Sequence, residues 1–328
     1  MLKHNDLNSI DTQKCLVIDV TYKCNASCRY CQWGDNKNPA HLHQPPEAVL
    51  LPKETLTSLG TQRLVFSGGE PLLRNDLEQI VDHYSRIGLE SVVTITNGIL
   101  LSPARFRSLH KAGLTGVTFS IDSVDPKILR KSRAYSEQTC QHIIRHLNIA
   151  AAYAKKNGLE VGVNCVVNAA NANLESMLRL VEFCGENDIT TLKFSPIFDD
   201  GYAGRIAPDL LLRECHAESL RKIGEAVTAA CQSNTNPLGF WQNVADLASG
   251  EKLLGSCCDL AERQALAIRG EIKFCAWLDA PIYGRTDAKI SLQHAVEARA
   301  ACGTATPRCR TGPWCFCLQK LNHVWKTS

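Results

Sequence analysis

The sequence carries little net charge. Its 36 lysines and arginines nearly balance 33 aspartates and glutamates, leaving a formal +3 over 328 residues. That excludes the strongly basic surface expected when the main partner is nucleic acid or another polyanion. No apolar run approaches the eighteen or so residues a membrane-crossing helix needs. The polar opening MLKHNDLNSIDTQK holds no apolar leader core. These absences predict a cytoplasmic protein without nucleic-acid or membrane partners. There is also no low-complexity segment and no internal repeat beyond an alternation of strand-like and helix-like segments. A hydrophobic content of 45% and a charged content of 21% are those of an ordinary globular chain, long enough for one large domain and a smaller one.

What the sequence has in excess is cysteine, at 16 residues. A small secreted chain would pair them as disulfides, but a chain of this size without a leader points to thiols, metal ligands or catalytic groups. Three lie within residues 24–31 and seven within 257–317, and clusters of this kind indicate metal sites. The six scattered ones (Cys15, Cys140, Cys165, Cys184, Cys215 and Cys231) read as small apolar core residues.

Residues 14–198 alternate β-rich runs with helical patterns. The predicted strands are 15–20, 63–67, 91–96, 116–122, 161–167 and 191–197, separated by segments with apolar residues at helical spacing. Six such units imply an α/β fold with a parallel sheet, either curled into a full or partial barrel or left open and doubly wound. Polar and glycine-bearing motifs fall just after the strands, where barrel active sites are built. Residues 205–250 read as helical. From about 255 the periodicity fades into a cysteine-rich tail that metal can hold together in place of a large core.

Directly after the first predicted strand comes Cys24-Asn-Ala-Ser-Cys28-Arg-Tyr-Cys31. Iron–sulfur clusters normally take four thiolates. Three on one loop leave a four-iron cluster one ligand short, with one iron open to a cofactor or substrate. A zinc knuckle borrowing His41 or His43 is the competing reading of the spacing.

This C-x3-C-x2-C loop, with Tyr30 before its last cysteine, resembles the signature of the radical S-adenosylmethionine (SAM) superfamily. Further elements follow in order: Ser67-Gly68-Gly69-Glu70-Pro71 resembles the family's GGE motif, Thr96-Asn97-Gly98 its TNG element and Ser120-Ile121-Asp122 its SxD element. The resemblance covers about residues 14–198 and implies a partial (β/α)6 TIM-like barrel. It implies a four-iron cluster on Cys24, Cys28 and Cys31, with SAM held by Tyr30, Gly68, Gly69, Glu70, Asn97, Ser120, Asp122 and Asn164. Arg133 is a further candidate for SAM contact. The chemistry implied is reductive cleavage of SAM to methionine and a 5′-deoxyadenosyl radical, which removes a hydrogen atom from an unactivated C–H bond. The two glycines are expected to let backbone approach the ligand. Glu70 is expected to accept a charge-assisted hydrogen bond from the SAM ammonium, or else to serve as an acid at a helix start.

The tail resembles the SPASM and twitch extensions of that superfamily. Cys258, Gly270 and Cys275 match a C-x9-15-G-x4-C opening, and Gly270 reads as the turn of a hairpin with arms 265–268 and 272–274. The later spacing of Cys302, Cys309, Cys315 and Cys317 departs from the full SPASM pattern. The expectation is therefore a small α+β domain with at least one auxiliary four-iron cluster, on Cys258, Cys275 and two of Cys309, Cys315 and Cys317. A zinc ribbon is the alternative. Cys257 is left over, and a thiol there is a candidate catalytic hydrogen-atom donor, as in radical SAM epimerases. The domain expectation is 1–200 barrel core, 201–254 helical linker and 255–328 auxiliary-cluster domain.

The short stretch before the first strand leaves no room for an N-terminal peptide-recognition domain, and no cobalamin-binding segment is found. These features predict epimerisation or dehydrogenation of a small sugar- or aminoglycoside-like substrate. Peptide maturation and a cluster-bearing electron carrier or scaffold are the alternatives. Asp199, Asp200, Tyr202, Phe240 and Trp241 either line a substrate mouth or form a surface loop and a packing pair. A reducing partner such as flavodoxin or ferredoxin is implied.

Overall fold

The computed structural model describes residues 15–31, 44–197, 206–251, 264–268, 270–273 and 284–286. Six strands run in parallel: β1 (Cys15–Thr21), β2 (Arg63–Gly68), β3 (Ser91–Thr96), β4 (Gly116–Ser120), β5 (Glu160–Val167) and β6 (Thr191–Pro196). Each lies within one or two residues of its predicted bounds, because buried parallel strands are written locally as short β-branched and apolar runs. Each pairs with its sequence neighbour, so the sheet order is β6-β5-β4-β3-β2-β1. Sequential order with crossovers of one hand puts the connecting helices on one face. A doubly wound sheet needs the order to reverse, so the arrangement is the partial barrel.

The connecting helices are α1 (Lys53–Leu59), α2 (Leu77–Ser85), α3 (Pro103–Lys111), α4 (Pro126–Arg133), α5 (Glu137–Asn157) and α6 (Leu174–Glu186). Their starts obey local chemistry. The Asp125 carboxylate accepts the Lys127 N–H with Pro126 at the first helical position, and Ser136 and Asn173 cap α5 and α6 the same way. One face of each strand packs on this layer: Leu16, Ile18, Phe66, Val117, Phe119 and Val163 are fully buried. The alternate residues, including Asp19, Ser67, Thr118, Ser120, Asn164 and Lys193, are half-buried on the concave face. At the strand N-termini this face is closed by a bidentate ion pair, Arg63 to Glu160 at 2.7 and 2.8 Å.

Helices α7 (Ala217–Ala230) and α8 (Leu238–Ala248) add to the outer layer. Trp241 of α8 is fully buried, with its ring centroid 4.8 Å from that of Phe194 on β6. Of the two readings of Phe240 and Trp241, the packing pair is the one found: both fill the core, because α8 turns its apolar face to the sheet. Of the scattered cysteines, Cys140, Cys165 and Cys184 are buried as expected, Cys15 and Cys231 are partly buried, and Cys215 is exposed, contrary to expectation. Among the described residues no helix is long and apolar enough to cross a membrane.

The hairpin around Gly270 is present, as β7 (Gln264–Ile268) and β8 (Glu271–Lys273), with Ile268 paired to Glu271 and Gly270 at φ 78°. β7 also pairs in parallel with β1, Gln264 opposite Cys15. The hairpin, followed by β9 (Gly284–Arg285), therefore continues the barrel's own sheet. Its two outer ends, Gln264 and Lys273, sit at the edge formed by the strand N-termini. Cys257, Cys258, Cys275, Cys302, Cys309, Cys315 and Cys317 lie outside the described residues, as do His41, His43, Asp199, Asp200 and Tyr202.

Candidate active site

β1 ends at Thr21 and the chain crosses the C-terminal edge of the sheet as the Cys24–Cys31 loop. Its path is set by β2. Gly69 N–H donates to Thr21 O at 2.8 Å and Glu70 N–H to Lys23 O at 2.7 Å. A Cβ on Gly69 would stand 2.0 Å from Lys23 O, and one on Gly68 (φ 123°) would stand 2.1 Å from Thr21 O. The backbone that approaches the glycine pair so closely is the stem of the cysteine loop, and the glycines let it lie flat on β2.

The far end of the loop is clamped by distant residues. Arg29 N–H donates to Ser132 O at 2.9 Å, its guanidinium holds Asp209 bidentately at 2.8 and 2.9 Å, and its carbonyl accepts from Ala207 N–H at 2.9 Å. Within the loop, Ala26 N–H donates to the Cys24 sulfur at 3.4 Å. Burial pushes the Cys24 thiol up to about 12 and raises Cys28 as well. A bound metal reverses that trend, because it supplies the positive charge a buried thiolate lacks.

The expected SAM ligands divide into two groups. Glu70, Asn97 and Asp122 are buried and engaged by protein. The Glu70 carboxylate accepts from Leu72 N–H at 3.0 Å, the Thr96 hydroxyl at 2.9 Å and Asn97 N–H at 2.7 Å. It thus caps the turn after β2 and ties it to the end of β3. Asn97 in turn donates to Asn25 of the cysteine loop at 2.7 Å. Asp122 is fully buried and accepts from the Tyr30 hydroxyl at 2.8 Å, Arg133 at 2.6 Å and Val166 N–H at 3.1 Å. Arg133 lies 5.6 Å from the Tyr30 ring centroid and reaches the Cys28 sulfur at 3.9 Å. Burial opposes its charge, but the Asp122 carboxylate keeps the guanidinium protonated.

Ser120 and Asn164 form the second group. They are register partners on β4 and β5, half-buried on the concave face. Among the described residues neither side chain has a hydrogen-bond partner, so both stand ready for a ligand.

Asn25, and Arg29 with Asp209, were not legible as site residues. Their partners lie 72 and 180 residues away, and no local pattern announces such contacts.

Burial pushes Glu70 up from 4.5 to about 7, despite hydrogen bonds that favour the carboxylate. The folded chain therefore holds the proton more tightly than the unfolded chain. That contribution to stability is complete below pH 4.5 and is lost as pH rises to about 7. Denaturant midpoints of the ligand-free protein between pH 4.5 and 7 should carry this decline. A Glu70→Gln variant, which cannot ionise, should show a smaller one; an unchanged slope would sink the assignment.

The residues fit a four-iron cluster. Three thiols share one braced loop. Six buried side-chain atoms lack hydrogen-bond partners among the described residues, and one of them, Arg133 Nε, belongs to the guanidinium that reaches the Cys28 sulfur at 3.9 Å. Among the described residues no three His, Cys, Asp or Glu side chains converge on a single ion position. A four-iron cluster binds each thiolate on a different iron, whereas the zinc knuckle would draw on His41 or His43, which lie outside the described residues.

A parallel partial barrel with a three-thiol loop across its C-terminal edge defines a class of cluster-bearing α/β enzymes. Comparison with known proteins names the family: residues 18–184 match the model of the radical SAM superfamily, and the chain belongs to it. Among curated relatives, the probable GTP 3′,8-cyclase of Methanocaldococcus jannaschii is 27% identical over 59% of this chain and 63% of its own length. The GTP 3′,8-cyclase of Aquifex aeolicus is 31% identical over 57% and 58%. The chain thus spans about three fifths of the length of these relatives. Their named reaction differs from the epimerisation or dehydrogenation expected above. Among solved structures, Streptococcus suis SuiB bound to the precursor peptide SuiA aligns at a TM-score of 0.62, with 18% identity over 89% of this chain and 66% of that one. Native anSMEcpe with bound AdoMet and a peptide aligns at 0.65, with 16% identity over 89% and 83%.

Proposed function

We propose that Cys24, Cys28 and Cys31 hold a four-iron cluster whose open iron binds SAM, and that Ser120 and Asn164 take the polar groups of the bound SAM. The observation that carries this reading is the braced three-thiol loop at the strand ends, with that open polar pair on the concave face below it. Glu70, Asn97 and Asp122 act by position: they hold Asn25, Tyr30 and Arg133, and through them the loop. Gly68 and Gly69 let the loop stem settle. When bound, the cluster and SAM supply one-electron cleavage of the sulfur–C5′ bond and the 5′-deoxyadenosyl radical that takes a substrate hydrogen atom. A one-electron donor of the flavodoxin or ferredoxin kind must feed it. Cys258, Cys275 and two of Cys309, Cys315 and Cys317 are proposed to hold an auxiliary cluster, and Cys257 to donate hydrogen.

The substrate is a polar small molecule. Asp19, Ser67, Thr118 and Lys193 face the same cavity side as Ser120 and Asn164, a lining suited to a hydroxyl-rich compound. Epimerisation or dehydrogenation of a sugar-like substrate is one outcome. Cyclisation of a nucleotide is the second, favoured by the names of the curated relatives.

Anaerobic incubation of reconstituted protein with SAM and dithionite tests the core reading. Wild type is expected to release 5′-deoxyadenosine, and Cys24→Ala, Cys28→Ala or Cys31→Ala each to abolish it. Release from a triple cysteine variant would sink the proposal. Product analysis with GTP and with deuterated aminoglycosides then separates the two reactions. Solvent deuterium at an inverted carbon means epimerisation, a new carbonyl without it means dehydrogenation, and a bridged nucleotide means cyclisation. A Cys257→Ala variant that cleaves SAM but accumulates a misrouted substrate radical would support the donor role; full activity would remove it.

A further inference from the structure

One ion pair joins the exits of the first and last parallel strands. β1 and β6 stand at opposite ends of the six-strand parallel run, and among the described residues no sheet pairing links them. Residues 207–212, in the connection from β6 to α7, make the link instead. At one end Leu210 O accepts from Ala169 N–H, just past β5, at 3.0 Å, and Leu212 N–H donates to Ile197 O, just past β6, at 3.3 Å. The side chains of Leu210 and Leu212 are buried and anchor that end. At the other end Ala207 N–H donates to Arg29 O, and the Asp209 carboxylate holds the Arg29 guanidinium with both oxygens. Arg29 also grips the end of α4: its backbone N–H donates to Ser132 O at 2.9 Å and its guanidinium to Lys131 O at 3.0 Å. A single residue of the cysteine loop thus ties together the end of α4 and the stretch beyond β6.

Folding stability does not account for the pair. The Arg29 side chain is 38% exposed and that of Asp209 61%, and exposed ion pairs contribute little to folding. What the pair supplies is geometry, because a two-bond fork fixes orientation as well as distance. Arg29 follows Cys28 directly and stands two residues before Cys31. Turning it turns the backbone that carries both sulfurs. We propose that Asp209 and Arg29 are a positioning pair: the carboxylate, delivered from beyond β6, holds the cysteine loop in the orientation that SAM cleavage requires. The inference rests on the cluster reading above. Neither side chain needs to touch SAM or substrate.

The test is anaerobic 5′-deoxyadenosine formation by the reconstituted full chain with SAM and dithionite. Rates are expressed per loaded cluster and set beside iron content and the urea midpoint. Asp209→Asn is expected to keep the wild-type midpoint and iron content, while its rate per cluster falls by about tenfold, less than the hundredfold or so of a full 1 Å misplacement. Arg29→Lys keeps the charge but loses the fork, and should fall in the same way. The double variant should fall no further than the lower single, because both changes break one interaction. Asp209→Glu, which restores a carboxylate, should recover most of the rate. A merely structural pair would lower the midpoint or the iron content and leave the rate per cluster alone. That result, an unchanged rate in both single variants, or losses that multiply in the double variant would overturn the proposal. If one single variant fails to hold iron, the other decides; if neither holds it, the pair serves loop assembly and the proposal fails. A wild-type chain that loads no cluster and cleaves no SAM would overturn the cluster reading and this one together, whereas an active wild type with unaffected variants overturns only this one.

Discussion

Gly69→Ala is expected to cost the protein its SAM-cleaving activity while leaving the barrel folded. The new Cβ would stand 2.0 Å from Lys23 O and 2.6 Å from Lys23 C. Neither is the tip of a flexible side chain. Backbone must move by roughly 1 Å to restore ordinary contact, and the backbone in question leads directly into Cys24. Displacements of that size in a catalytic constellation cost on the order of a hundredfold in rate. Helices and strands remote from the loop are untouched, so circular dichroism should match wild type while iron content and 5′-deoxyadenosine formation fall together. Gly185→Ala is the control: a Cβ there meets nothing within 4 Å and the residue lies in α6, so it should behave as wild type. A Gly69→Ala protein with full iron and full rate would show that the stem does not fix the loop.

Asp122→Ala is expected to be the most destabilising single change at the site. It strands the Arg133 guanidinium, which is only 5% exposed and 2.6 Å from the carboxylate, and it removes the acceptor for the Tyr30 hydroxyl and Val166 N–H. Breaking one partner of a buried ion pair typically costs about 3–5 kcal/mol, whereas replacing both with apolar residues of similar volume costs far less. Asp122→Ala should therefore lower the urea midpoint by an amount of that order, and Asp122→Asn combined with Arg133→Met should recover part of it. A single variant within about 0.5 kcal/mol of wild type, the range of neutral surface changes, would refute the buried pair as a brace for the loop.

These two predictions concern residues that motif reading assigns to the ligand, and the structure gives them work inside the protein. Glu70, Asn97 and Asp122 each spend polar atoms on other protein groups: Glu70 on Thr96 and the Asn97 N–H, Asn97 on Asn25, and Asp122 on Tyr30 and Arg133. Ser120 and Asn164 have no side-chain hydrogen-bond partner among the described residues. Ser120 and Asp122 are two positions apart, yet one faces the concave surface while the other is sealed beneath Tyr30 and Arg133. A strand's alternation predicts the direction of Ser120. It stops applying at Ile121, where β4 has ended, and from there side-chain direction depends on what the chain meets.

By itself the sequence determined the six parallel strands, the turn at Gly270, and the three-thiol loop with its attendant motifs at the strand ends. All of these are local: buried strands are short apolar runs, a tight turn needs its glycine, and the thiols are separated by only a few residues. The tertiary structure alone decided what those motifs touch. It set the glycine pair against the stem of the loop, clamped Arg29 to Asp209 across 180 residues, and placed β7 beside β1 in the barrel's own sheet. Contacts between distant segments depend on packing and register, which no short window of sequence encodes. The loop at Cys24, Cys28 and Cys31 is legible as a set of ligands; the network that holds it in place exists only once the barrel has formed.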